Sequence, residues 1–252
     1  MSRALPPLVA VAHGSRDPRS AASVSALVAG LRRRNPGLTV RLAFLDLCAP
    51  RVVDVLRALH GEGHRRVVLV PLLLTHAFHA KVDVPALVAE AAVACPAMEI
   101  DIAAVLGPDQ ALEDLALRRV IEAGARPGDE DLGVVLSAAG SSQASANASV
   151  QAVAERMAAR TGWRTTAGFA CAAQPDITTA IERLRAQGAR RIAVASWFLA
   201  PGKLPDLVVR KARAVDPDVV IADVLGNDAQ LADLIVRRHL AAVDRCTASL
   251  PA

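Results

Sequence analysis

The chain has 252 residues, of which 53% are hydrophobic but only 2% aromatic, and it carries a formal net charge of +4. That length suits one large domain or two of ordinary size, and the apolar content excludes a disordered chain. The positive excess is almost all arginine, with no basic tract interleaved with aromatics, so a nucleic-acid-binding role is excluded.

In chain order, short apolar runs alternate with stretches of helical periodicity. Residues 8–12 read as a strand, and Pro18 opens a helix to residue 33 with Asp17 as its cap. A strand over 40–45, a helix over 51–60, a strand over 66–73, a helix over 84–95 capped by Asp83, a strand over 100–105 and a helix over 110–122 follow. Residues 124–131 are rich in Gly, Pro and charge and read as a linker. The pattern then restarts, with strands over 133–137, 165–170, 191–198 and 219–225 and helices over 144–159, 175–187, 207–215 and 229–243. Such alternation implies right-handed crossovers and parallel sheets. A core of Ala, Val and Leu suits strands covered on both faces. The expected fold is α/β, with two similar lobes at 1–123 and 132–252, each a parallel sheet flanked by helices.

The two halves also match in sequence. VAVAHGSRDPRSAASV pairs with VVLSAAGSSQASANASV, ALHGEGHRRVVLVPLLL with RLRAQGARRIAVASWFL, and AAVLGPD with ADVLGND. An offset of 126 sets His13 opposite Ala139 and Gly14-Ser15 opposite Gly140-Ser141. The duplication is an internal control. Residues present in both halves serve the fold, and residues present in one half are candidates for chemistry or products of drift.

His13 belongs to the second class. It ends the first strand, where ligands of open α/β sheets sit. Gly14 lets the backbone approach a ligand, and Ser15 and Asp17 are placed to cap the next helix. His76 and His79 follow the third strand, and their counterpart segment WFLAPGKLPDLV has no histidine. Neutral imidazole is a common ligand for late first-row divalent ions. The alternative for each histidine is a satisfied side chain in a polar loop. Asp46 ends the second strand, either as a proton acceptor or as a cap for the next helix, with Cys171 near its counterpart position. Lys81 and Lys203 occupy matching strand-end loops, where they either pair with substrate carboxylates or are merely solvated. His60, His64 and His239 read as structural or exposed. Cys48, Cys95, Cys171 and Cys246 form no CxxC pair and read as isolated thiols. Neither a signal peptide nor a run of transmembrane length is seen, so a cytoplasmic protein with no membrane partner is expected.

VAHGSRDPRS, FLDLCAP and VVLVPLLL with HAKVDVPALV resemble the sirohydrochlorin chelatases, the class II chelatases of sirohaem and cobalamin synthesis. The resemblance covers nearly the whole chain, because the second half is similar to a degenerate copy of the first. It implies a ferrochelatase-like fold with two lobes across a cleft, and insertion of a divalent metal into a tetrapyrrole. Fe2+ is favoured, with Co2+ and nickel open. By resemblance His13 matches the first metal-binding histidine. His79, four residues before Asp83, matches the second. Asp46 stands where many members carry Glu, which keeps a carboxylate but shortens its reach. His76 stands where many have a small residue, and is an added ligand or an outer gate. The implied catalytic set is His13, His79 and Asp46, the metal ligands His13, His79 and His76, and the substrate-binding residues Ser15, Arg16, Lys81 and Lys203. No cofactor is implied beyond the substrate metal. The partners are the tetrapyrrole and that ion, bound by a monomer with two pseudo-symmetric lobes. Three other readings compete. One is a non-catalytic carrier of metal or tetrapyrrole. Another is a dinucleotide enzyme, for which HGSRDPRS lacks the GxGxxG turn. The third, a periplasmic-type receptor, is disfavoured by the missing signal peptide.

Overall fold

The computed structural model describes residues 5–75 and 95–248, with side chains as far as Arg245. The elements in order are β1 (Leu8–Ala12), α1 (Pro18–Arg34), β2 (Val40–Phe44), α2 (Val52–Gly61), β3 (Arg66–Pro71), β4 (Glu99–Ile102), α3 (Gln110–Glu122), β5 (Leu132–Ala138), α4 (Ala144–Thr161), β6 (Arg164–Phe169), α5 (Ile177–Ala186), β7 (Arg191–Ser196), α6 (Lys203–Val215), β8 (Val220–Ile221) and α7 (Ala229–Ala248). The helix expected over 84–95 lies outside the described residues except for Cys95, which is buried in the core of the first sheet.

Two four-stranded parallel sheets result, ordered β2-β1-β3-β4 and β6-β5-β7-β8. The equal orders make the duplication a fact of topology. β1 and β5 are buried along their whole length, which is why their sequences are continuous Val, Ala and Leu runs with no polar alternation. Several strands stop short of their expected ends. After β3, the Leu72 amide makes one more bond to the Val11 carbonyl (2.8 Å) before the chain turns, and after β8 Ala222 does the same with Val194 (3.0 Å). α6 starts at Lys203, earlier than its periodicity suggested. Pro205 falls in its first turn, where a missing N–H costs no helical bond.

The chain divides into two compact units, Met1–Gly107 with Asn227–Ala252, and Pro108–Gly226. This differs from the expected boundaries of 1–123 and 132–252, because each half sends its last helix elsewhere. α3 follows β4 yet packs against β7 and α4. There it buries Leu112, Leu115, Ala116 and Val120 completely. Its Glu113, almost fully buried, accepts two bonds from the Arg156 guanidinium (3.1 and 2.6 Å). A buried carboxylate needs such a partner. α7 follows β8 yet packs against β3 and α1. From it, Arg238 donates to the carbonyls of Val105 and Leu106 (both 3.0 Å), and His239 bonds the Pro6 carbonyl (2.9 Å). The chain passes from one unit to the other within the echoed VLGPD and VLGND motifs. Residues 124–131, read as a linker, are fastened within the second unit. Gly128 donates to Thr161 (2.8 Å), Trp163 Nε1 donates to Arg126 (2.8 Å), and Arg191 pairs with Asp129 (2.8 Å).

Candidate active site at the carboxyl edge of the first sheet

β1 lies between β2 and β3, so successive connections leave it on opposite sides. This is the switch point at which α/β sheets open a crevice for ligands. The loops after β1, β2 and β3 leave that edge around the switch point. The first begins with His13, half-buried and immediately past the strand. Its Nδ1 lies 3.3 Å from the Gly14 carbonyl. A carbonyl only accepts, so this contact selects the tautomer with the proton on Nδ1 and the lone pair on Nε2. That nitrogen is then the one suited to a metal.

Gly14 makes the close approach of the first two loops possible. It has φ +95°, and a Cβ there would lie 1.8 Å from the Asp46 carbonyl oxygen. Across this contact the Asp46 amide donates to the His13 carbonyl (3.0 Å). Asp46 thus stands beside His13 through the backbone. Its side chain is 65% exposed, with Oδ1 accepting the Leu47 amide (2.8 Å) and lying 3.7 Å from Arg51 Nη1. It does not cap α2. The capping position is Arg51, which makes no side-chain cap bond. The helix-capping alternative for Asp46 is thereby removed, and its carboxylate bonds the amide of the turn that follows.

Two further features of the corner escaped the sequence reading. The Cys48 sulfur receives the Ser15 amide (3.4 Å) and its thiol donates to the Ser15 carbonyl (3.1 Å), holding the first loop against the second. Leu47 between them has φ +63°, with the Cys48 amide bonded to the Asp46 carbonyl (2.8 Å). This is a γ-turn of the strained, positive-φ kind. Aligning AFLDLCAP with GFACAAQP on their prolines would have exposed this corner as a repeated motif.

The remaining expectations divide. Asp17 caps α1 by accepting the Arg19 amide (3.0 Å), as read. The Ser15 hydroxyl accepts the Asp17 amide (3.1 Å), and Ser141 treats Gln143 the same way (3.1 Å). By the internal control, that oxygen serves the turn. Arg16 is exposed. Lys203 is exposed as the first residue of α6, in the second unit, rather than in a loop. His76, His79 and Lys81 lie outside the described residues. Continuing the β1–β3 register sets Leu73 level with His13, so the chain leading to residue 76 leaves the same edge beside it. Among the described residues no three His, Cys, Asp or Glu side chains form a metal-holding group. His64 sits 3.9 Å from Glu62. His239 is completely buried, and burial holds its imidazole below the ordinary histidine range.

The second unit repeats the corner without the chemistry. Gly140 has φ +88°, and a Cβ there would lie 1.9 Å from the Cys171 carbonyl oxygen. The Cys171 amide donates to Ala139 (3.0 Å). Ala139 and Cys171 therefore stand where His13 and Asp46 do. Asn147 replaces the thiol clamp, accepting the Ser141 amide (2.9 Å) and donating to its carbonyl (2.7 Å). Asp176 caps α5, and the Thr179 amide and Lys211 hold its carboxyl below the usual range. Both units keep the glycine turn, and the histidine and the carboxylate stand at it only in the first.

The sequence profile described as CbiX matches residues 7–123 and 133–242. The chain belongs to the CbiX family. It is 23% identical over 229 residues to a sirohydrochlorin ferrochelatase of Priestia megaterium, covering 89% of this chain and 86% of that one. It is 27% identical over 123 residues to a sirohydrochlorin cobaltochelatase of Methanosarcina barkeri, covering 46% of this chain and 95% of that one. In fold it is similar to SirB from Bacillus subtilis solved with Fe3+, at a TM-score of 0.82 and 22% identity, covering 97% of this chain and 98% of SirB. No helix among the described residues is long and apolar enough to cross a membrane.

Proposed function

We propose that the chain is a sirohydrochlorin chelatase that inserts Fe2+, or alternatively Co2+, into the macrocycle at the carboxyl edge of the first sheet. The observation that carries the reading is the pairing of His13 with Asp46 at the β1 switch point, in a chain of the CbiX family whose second unit keeps the turn and lacks both groups. His13 Nε2 is the first ligand to the incoming ion. His79, with His76 beside it, is the proposed remainder of the ligand set, supported by the register that sends the chain after β3 to the same edge. Insertion exchanges two pyrrole N–H protons for one divalent ion. A histidine of this set, or Asp46, exposed beside His13, is the proposed acceptor, taking one proton at a time and passing it to solvent before the next. Ser15, Arg16, Lys81 and Lys203 are proposed contacts for the substrate's carboxylates. Lys203, a cation in the first turn of α6, opposes the helix dipole. Helix stability therefore does not account for it. The reading includes a cytoplasmic location and a monomer, the latter supported by α3 and α7, which pack on the two sheets from within one chain.

The test is anaerobic incubation of the purified protein with sirohydrochlorin and Fe2+ or Co2+, following the visible spectrum of the macrocycle. Insertion by the protein should outrun the protein-free control and be lost in His13→Ala with His79→Ala. Stoichiometric binding without turnover would reject catalysis and leave a carrier.

A further inference from the structure

Among the described residues, Leu47 is the one large apolar side chain at the corner that stands exposed. It is 45% exposed, so it contributes little to the core. Its φ of +63° is a conformation that leucine adopts only under strain. The second unit provides the control. There Ala172 holds the equivalent place at φ +56° and is exposed, so the turn forms without a large side chain. The neighbours of Leu47 are Asp46, whose carbonyl accepts the Cys48 amide across it, and Cys48, whose sulfur grips the loop that begins at His13. A strained backbone therefore presents an apolar side chain at the same edge as His13 and Asp46, in the one unit that carries both. The turn recurs at Ala172, so by the internal control it belongs to the fold; what is particular to the first unit is the large apolar side chain on it.

We infer that Leu47 is a substrate-binding residue, presenting an apolar surface to the tetrapyrrole ring beside the metal-delivering groups. This rests on the chelatase reading above. Contact with the ring away from its reacting nitrogens is made equally in ground and transition states, so it sets KM and leaves kcat alone.

The experiment compares Leu47→Ala, Leu47→Gly and Leu47→Met in the full chain. It measures KM and kcat for insertion, sirohydrochlorin affinity by absorbance titration without metal, Co2+ affinity without tetrapyrrole, and Tm. Leu47→Ala should raise KM and weaken sirohydrochlorin binding by roughly tenfold, the loss of most of one leucine's apolar contact. Its kcat and Co2+ affinity should stay within about twofold. Leu47→Gly, which relieves the positive φ, should show the same binding loss with an unchanged or higher Tm. Leu47→Met should restore binding. Unchanged sirohydrochlorin affinity in Leu47→Ala would overturn the inference, as would a lowered Tm with a parallel loss of Co2+ affinity, which marks a structural role. Failure of the wild-type chain to insert either ion would sink the chelatase reading. The titration would still decide whether Leu47 contacts the macrocycle.

Discussion

Gly14→Ala probes the contact that sets His13 beside Asp46, and Gly140→Ala is its matched control. At Gly14 the added Cβ would meet the Asp46 carbonyl oxygen at 1.8 Å and its carbon at 2.9 Å. Ordinary contact needs about 3.5 Å, so one loop must retreat by roughly 1.5 Å. The positive φ costs an L-residue about 1–2 kcal/mol, and a forced backbone shift typically adds ~1–3 kcal/mol. The expected loss is about 2–5 kcal/mol, a fall in Tm of roughly 5–20 °C for a chain of this size. Gly140→Ala meets the Cys171 carbonyl oxygen at 1.9 Å with a similar φ, so its stability loss should match. Activity should separate the two. Displacing catalytic groups by about an ångström can cost about a hundredfold. Gly14→Ala should lose that much per folded molecule, while Gly140→Ala should lose less than about tenfold. The assays are thermal melting by circular dichroism and metal insertion normalised to the folded fraction. A Gly14→Ala protein with wild-type melting, or equal activity losses in both variants, would refute the reasoning.

Two further outcomes follow from the packing of α7. Burial keeps His239 neutral, with a folded pKa below the ordinary histidine value of 6.5. As pH falls through that value the unfolded chain takes up the proton first, so stability should be full above about pH 6.5 and decline toward the lower folded pKa. Urea midpoints at pH 7.5 and 5.5 check this, and a pH slope that survives in His239→Gln would assign it elsewhere. The unit 108–226 is contiguous and contains α3 and its partners, so this fragment should melt cooperatively by itself. Residues 1–123 lack the helix that covers β3, and cooperative melting of that fragment as a monomer would contradict the division.

Topology was legible because each strand of a doubly covered parallel sheet is a short, nearly continuous apolar run, as LVAVA and RVVLVP are. The position of His13 was legible because the duplication separated Ala139 from it at an otherwise matched turn. Boundaries were less so. The helix expected over 207–215 starts at Lys203, because Pro205 is tolerated in a first turn. The destination of α3 was not legible. Its apolar face would suit either sheet, and amphipathic periodicity says that a face is buried without saying against what. Nor was Leu47, because a positive φ has a sequence signature only when glycine or asparagine adopts it.

The two crossing motifs also impose an order on synthesis. Pro108–Gly226 is complete as soon as residue 226 has emerged, whereas the unit bearing His13 awaits α7, which follows residue 226. A chain folding as it is made, N-terminal segments first at about 5–20 residues per second, would ordinarily close its first half first. Here the second half closes first. Until α7 has emerged, β3 is not covered by it, so the nascent first unit exposes apolar strand to whatever binds such surfaces, and the unit bearing His13 closes after Pro108–Gly226.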